Sequence, residues 1–392
     1  MNNEKTEKLW TIPYIVIILI NALSFLNFNM STSGMPIFAA EIEKNNFPIG
    51  LVTTVSAVAA LVCRPFSGYL VGKYNSLMIA LTGLFMMATA PFVLCFVKSI
   101  FVVYISRLIQ GIGWGLTSTS CSNIIAINSP KKRLSEGIGY AGAMSSIATA
   151  VAPGIAVYFF ERIGINEMLI IISLSALISL FLISVLCKEQ NNSFNTDRSL
   201  KFRITECFEY DAFLPAVLVF IITLCYSPMV TFITQYSMSI GLKNIYLYFF
   251  SYALATIITR SLSGAYINRF GYFIFGLISI VSIFVSLILL LFLKNMITLC
   301  FSGCMAGIGT GMGINTLQTM AIAKARIQNK GKAIATFLFG FDLGMAVGAV
   351  IAGILVEKID FRFMYGTFSV IALIGILLYI AFYINNRNYF LK

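Results

Sequence analysis

The sequence predicts an all-α membrane protein, with twelve transmembrane helices arranged as two pseudo-symmetric six-helix bundles. Three observations carry this. Hydrophobic residues make up 59% of the 392 and charged residues 11%, against roughly 25% charged in an ordinary soluble domain. A soluble core of this length would lack the polar surface to cover it. The chain also offers twelve apolar stretches near the ~20 residues that span a bilayer core as a helix. Finally, it repeats itself at an offset of 196 residues, half its length.

The spans follow one another with short polar breaks. The first, 10–38, comes after MNNEKTEKLW; it is too long for a cleavable signal and lacks a small-residue cleavage site. Spans two and three are 48–72 and 76–97. The fourth, 99–126, is rich in Ser, Thr, Asn and Gly and is weaker on hydropathy. Spans five and six are 136–160 and 166–187. A polar stretch from Cys187 to Asp211 then separates the halves, giving bundles at 1–187 and 211–392 and a linker at 188–210. It is too short for a regulatory domain. Spans seven to nine are 211–237, 244–268 and 272–293; spans ten to twelve are 295–322, 332–356 and 363–386.

The repeat is written in unlike residues, not only in glycines. Arg64, Ser67 and Gly68 in CRPFSGYLVGKY recur as Arg260, Ser263 and Gly264 in TRSLSGAYINRF, and Lys73-Tyr74 returns as Arg269-Phe270. Gly111, Gly113 and Gly115 return as Gly307, Gly309 and Gly311, and Glu161-Arg162-Ile163 as Glu357-Lys358-Ile359. Parallel half-molecules of this kind are how many transporters build a path between two moving bundles.

Charge gives an expected orientation. With the N-terminus cytoplasmic, seventeen of the 27 Lys and Arg fall on the cytoplasmic side, seven on the other, and Arg64, Arg107 and Arg260 within spans. That is the positive-inside pattern, and it places both termini and the linker in the cytoplasm of a cell with a plasma (inner) membrane. The net charge of +12 then reports topology and attraction to anionic lipid, with no basic run that argues for nucleic acid. The absence of His removes every Ser-His or Cys-His nucleophile pairing, and the eight cysteines form no metal-ligand spacing except Cys300 and Cys304, best read as small buried residues. Neither a catalytic constellation nor a cofactor or metal site is expected. A phosphate-binding Gly-x-x-x-x-Gly-Lys-Ser/Thr loop, which a primary pump needs, is absent.

Three segments resemble signatures of the major facilitator superfamily. GYLVGKYNSL at the end of span two matches its loop signature at Gly68, Leu70 and Lys73, and the second copy matches at Gly264, Arg269 and Gly271. Gly72 and Asn268 stand where the family has an acid, so the charge lock that this acid makes there is not carried over; the glycine at a tight helix exit is. SRLIQGIGWG in span four looks like a second signature, through Arg107, Gln110, Gly111 and Gly113. GYAGAMSSIATAVAPGIAVYF in span five is similar to one associated with antiporters, through Gly139 and Pro153, with small residues every fourth position. Gly344 and Gly348 repeat that spacing in span eleven, a pattern that lets helix backbones approach closely.

The resemblance covers the whole chain and points to the twelve-helix drug and metabolite efflux branch. It implies a monomeric secondary transporter with a small-molecule substrate and protons as coupling ion. It also implies a central cavity lined by spans one, four, seven and ten. Candidate cavity groups there are Asn21, Asn27, Asn29, Gln110, Thr117, Gln235, Tyr236, Asn315 and Gln318, with Arg107 the one cation. For any single hydroxyl, bonding back to its own helix is the commoner use. Uptake or facilitated diffusion of a sugar or metabolite is the alternative, and a membrane sensor the non-transport one.

Acids inside the spans are nearly absent. Asp342 in span eleven is the one deep carboxylate, about 15 Å from the cytoplasmic end, at close to the depth of Arg64 in span two. A pair between them would hold the cytoplasmic side shut. Two points oppose it. Asp342 lies roughly 160° around the helix from Gly344, so a glycine stripe facing span two would turn the acid away. The repeat mate Arg260 also meets only Ser146 at the matching position. The other reading has Asp342 carrying a proton alone and both arginines bonded to carbonyls.

Overall fold

The computed structural model describes residues 9–43, 45–130, 133–189, 209–324 and 330–385. The expected linker therefore lies almost wholly outside the described residues. Six helices form the first half: α1 (Ile12–Ile42), α2 (Asn46–Lys73), α3 (Ser76–Val93), α4 (Ile100–Asn128), α5 (Leu134–Arg162) and α6 (Ile165–Glu189). After a 3-10 turn at Tyr210–Ala212 come α7 (Phe213–Ser239), α8 (Tyr246–Leu291), α9 (Met296–Lys324), α10 (Lys330–Lys358) and α11 (Phe361–Asn385). Eleven described helices are long and apolar enough to cross a membrane.

The difference from twelve lies in α8, which holds spans eight and nine in one element. Gly271 sits within it at φ 76°, ψ 172°, a left-handed-side conformation that a residue with a Cβ rarely adopts. The chain therefore turns there between two spanning limbs, 246–270 and 272–291. In the first half the matching residue is Asn75, whose side chain accepts from Leu77 N at 2.9 Å and caps the start of α3. One half makes its tight exit with a cap, the other with glycine.

Local chemistry sets the other starts. Thr11 accepts from Tyr14 N at the head of α1, with proline in the first turn. Asp360 accepts from Phe363 N at 2.6 Å to open α11. Prolines inside α1, α2, α3, α5 and α7 (Pro36, Pro65, Pro91, Pro153 and Pro228) do not end those helices, as membrane helices tolerate when neighbours satisfy the freed carbonyls.

The repeat is a repeat of contacts. A Cβ built on Gly113 of α4 would lie 2.7 Å from Gly83 O of α3, and one on Gly309 of α9 would lie 2.9 Å from Ser279 O, the residue equivalent to Gly83. Gly111 abuts Ser56 O of α2, while Gly307 abuts Tyr252 O, again the equivalent residue. The small residues thus mark the same backbone crossings in each bundle.

The bundles meet at one end. Gly50 of α2 packs on Ala349 O of α10 (2.6 Å for a built Cβ), and Gly154 of α5 on the Phe249 side chain of α8 (3.3 Å). At the opposite end, which carries both described chain ends, a Cβ added at Gly68, Gly139 or Gly142 would meet nothing within 4 Å. Among the described residues, the molecule is closed at the α1–α2 loop end and open at the other.

Candidate functional site

Arg64 and Asp342 come together where α2 crosses α10, one from each bundle. Arg64 Nε donates to Asp342 Oδ2 at 2.7 Å, and the two side chains are 15% and 8% exposed. The premise that opposed the pair fails for a simple reason. Gly344 and Gly348 face α7, against Phe220 O and Leu224 O (2.5 Å each for a built Cβ), and Gly340 faces Ala216 of the same helix. Asp342, on the other side of α10, is thereby turned to α2. The pair is made while the end carrying both described chain ends stands open, so, contrary to the expectation, it does not hold that end shut. Towards the closed end the pair is followed by an apolar patch of Ala57, Met345 and Ala346, with Tyr226 and Phe341 beside it. Desolvation of both charges offsets much of their attraction. Arg260 is half-buried in α8, and Asn315 Nδ2 donates to its carbonyl at 3.5 Å.

Arg107 is placed differently from the expectation. It is 0% exposed, enclosed among α1, α2 and α4, and not on a cavity wall. Nε donates to Val52 O at 3.2 Å, Nη1 to Gln110 Oε1 at 2.6 Å and Nη2 to Ser56 Oγ, while the guanidinium sits 5.7 Å from the Phe28 ring centre. Gln110 passes the network on, donating to Asn27 Oδ1 at 3.2 Å and to Ser31 Oγ. Asn27 in turn donates to Ile172 O of α6 at 2.6 Å. All these partners are neutral. Hydrogen bonds to a charged group contribute about 1.5–3 kcal/mol each, which offsets the roughly 2.5–3.5 kcal/mol that insertion scales assign to a central arginine.

The candidate cavity groups divide in the same way. Asn27, Gln110 and Thr117 are 0% exposed, and Tyr236 is 2%. Thr117 faces Gly83 of α3, and Tyr236 stacks on Phe361 of α11 at 5.4 Å. Neither points into a path between the bundles. Asn21 is nearly buried and donates to Ser145 Oγ of α5 at 2.7 Å. Asn29, Gln235, Asn315 and Gln318 are half-buried. Of these, Gln235 crosses to the other bundle, donating to Pro36 O of α1 at 3.1 Å. The candidates divide for one reason: the resemblance names the helix that lines a cavity, and says nothing of which face does.

The glycines of the loop signature also change meaning. Gly68 lies five residues inside α2 with open space around it, so the tight exit belongs to Gly271 alone. The side chains of Lys73 and Arg269, and the surroundings of Gly264, fall outside the described residues. Pro153 is buried within a continuous α5. Sequence reasoning missed Ser56, which accepts from Arg107, and Thr53, whose Oγ1 lies 3.2 Å from Thr231 Oγ1 across the bundles. Thr53 and Ser56, three residues apart on one face of a largely apolar stretch of α2, were the available signal.

The model described as Major Facilitator Superfamily matches residues 17–296 and 252–389. The chain belongs to this superfamily. It is a multi-pass membrane transporter by family, and one curated relative is an exporter by name. The Staphylopine export protein of Staphylococcus aureus is 20% identical over 364 residues, 90% of this chain and 91% of that protein. The Quinolone resistance protein NorA of Staphylococcus aureus is 24% identical over 139 residues, 36% of each chain. The chain thus matches only about a third of NorA's length. Among solved structures, the nucleoside transporter NupG superposes with a TM-score of 0.72 at 14% identity, covering 93% of this chain and 99% of that one. A peptide transporter POT in complex with alafosfalin gives 0.79 at 10% identity, with 97% and 96% covered. Both likenesses show the fold.

Proposed function

We propose that this superfamily member exports a small amphipathic compound, a drug or metabolite, by proton antiport with alternating access. The observation that carries the reading is the Arg64–Asp342 pair. It joins the two bundles through the one deep carboxylate of the spans. Protonating Asp342 removes the charge that Arg64 bonds and loosens α2 from α10 where the two helices cross. The mostly neutral and aromatic interior suits a weakly polar solute better than a strong anion. The near full-length likeness to an exporter supports the direction. On this reading the open end faces the cytoplasm of a cell with a plasma (inner) membrane, as the basic residues predict. The halves 1–187 and 211–392, joined by the 188–210 linker, rock against each other as bodies.

The test is transport by the purified chain in proteoliposomes with an imposed proton gradient, screened over dyes and amino-acid derivatives. Uptake into inside-out vesicles should follow the gradient and stop when it is collapsed. Transport that survives collapse favours facilitated diffusion and removes antiport. Arg64→Asp and Asp342→Arg should each abolish coupled transport, and the double exchange should restore part of it. Three equally inactive, folded proteins would leave Asp342 acting without Arg64.

A further inference from the structure

The closed end holds a pair of carboxylates that the transport reading does not use. Glu161, at the end of α5, accepts from Ile245 N at the start of α8, at 2.7 Å. Glu357, at the end of α10, accepts from Asn46 N at 2.5 Å and Phe47 N at 3.4 Å at the start of α2. In both cases the carboxylate and the helix start belong to opposite bundles. The two glutamates are also repeat mates, 196 residues apart.

The receiving helices are built to need them. A helix start leaves four N–H groups without intrahelical partners, and Ser, Thr, Asp or Asn before the helix commonly satisfies one with its side chain. Asn45 precedes α2 yet makes no side-chain cap bond, and Ile245 precedes α8 with no side chain able to make one. Each helix start is capped instead by a glutamate from the other half. The partial positive charge at a helix N-terminus adds to the attraction. Around Glu161 the contact is reinforced: Arg162 Nη2 lies 3.4 Å from Asn244 Oδ1 and from Tyr246 Oη, and Tyr158 meets Tyr246 edge-on at 5.2 Å.

We propose that Glu161 and Glu357 form a twofold latch that holds this end of the transport path shut. These caps exist only while the two bundles touch there. Opening that end strips both helix starts of their partners at once, so the two caps act together to favour the state described here. The inference concerns alternation alone and stands whether or not protons or an amphipathic substrate are involved.

The experiment reads conformation, not transport. Thr53 of α2 is 1% exposed and sits against Thr231 of α7, so a Thr53→Cys reporter becomes reactive when the closed end parts. The full chain, with its native cysteines replaced, is placed in nanodiscs, where a hydrophilic maleimide reaches both faces. Glu161→Ala with Glu357→Ala should raise the labelling rate about tenfold, and each single change about threefold. Glu→Gln at both sites keeps an acceptor and loses the charge, and should give a smaller rise. An unchanged rate in a double variant that still elutes as a single species overturns the latch. Should the alanine pair fail to fold, the glutamine pair decides in the same way, with no rise counting against the proposal.

Discussion

Position 107 of α4 and its repeat mate 303 of α9 occupy the same place in two equivalent bundles, and they are filled in opposite ways. In the first bundle Arg107 reaches Val52 O and Ser56 of α2. In the second, Gly303 lies against Tyr248, the equivalent of Val52, with the carbonyl 2.5 Å and the ring 3.1 Å from a built Cβ. Ser56 becomes Tyr252, which stacks on Tyr226 at 5.6 Å and accepts a hydrogen bond from Thr310 Oγ1 at 3.1 Å. Gln110 becomes Ala306, and Asn27 becomes Thr223, which bonds back to Val219 O of its own helix. One bundle fills the space with a charged network, the other with rings. The second bundle shows that this fold is made without a buried charge at that position. Arg107 is therefore not required for the fold at this position, and on the proposed reading it is kept for transport.

The largest expected effect tests that argument directly. Arg107→Met keeps much of the volume and removes the charge, but leaves Gln110 Oε1 and Ser56 Oγ without their donor, at a cost of about 1–3 kcal/mol. Its melting temperature should fall modestly, with the fold retained, while transport falls by at least about tenfold, a loss of roughly 1.4 kcal/mol in transition-state terms. Arg107→Lys keeps the charge but loses the planar fork that reaches three partners, and should also be impaired. Full transport by the methionine variant, or loss of folding in it, would make the network structural and erase the contrast between the bundles.

A smaller effect measures what the two halves share. Gly111→Ala and Gly307→Ala each push a methyl into a backbone carbonyl of the neighbouring helix, Ser56 O and Tyr252 O. Overpacking of this kind costs about 1–3 kcal/mol, and the two should lower the melting temperature by similar amounts. Gly142→Ala, with nothing within 4 Å, should be neutral or gain up to about 1 kcal/mol in helix propensity. A large difference between the two paired variants would mean that the contact symmetry is not an energetic one.

This shared frame is also the part that was legible in the sequence. Fixed-offset glycines marked the crossings, because close backbone approach leaves a small residue whatever surrounds it. The twelve spans were legible too, apart from the run-on at Gly271, where the polar break is too short to register as a gap. The site was less so. A soluble helix declares its inner face by apolar periodicity, whereas a membrane helix is apolar towards both lipid and core. Nothing therefore told Thr117 and Tyr236 which way to point, or that the Gly344 stripe faces α7 and frees Asp342 for Arg64. The spacing of Glu161 and Glu357 was visible as repetition, but that each meets the other bundle's helix start is a property of the assembled bundles.

The smallest expected effect concerns the ring that stands in for the charged network. Tyr248 is 1% exposed, and its hydroxyl has no hydrogen-bond partner among the described residues. A buried hydroxyl left unsatisfied is destabilising by about 1–3 kcal/mol, and removing it with no change of shape is close to neutral or favourable. The ring itself is well used: it packs edge-on against Phe249 at 5.0 Å and fills the room beside Gly303. Tyr248→Phe should therefore leave the melting temperature unchanged or raise it slightly. Tyr248→Ala, which empties the space, should lower stability by about 3–5 kcal/mol. If Tyr248→Phe instead impairs transport with the fold intact, the hydroxyl is kept for a solute. The second bundle would then carry a polar handle of its own where the first carries Arg107, and the two halves would differ in chemistry but not in task.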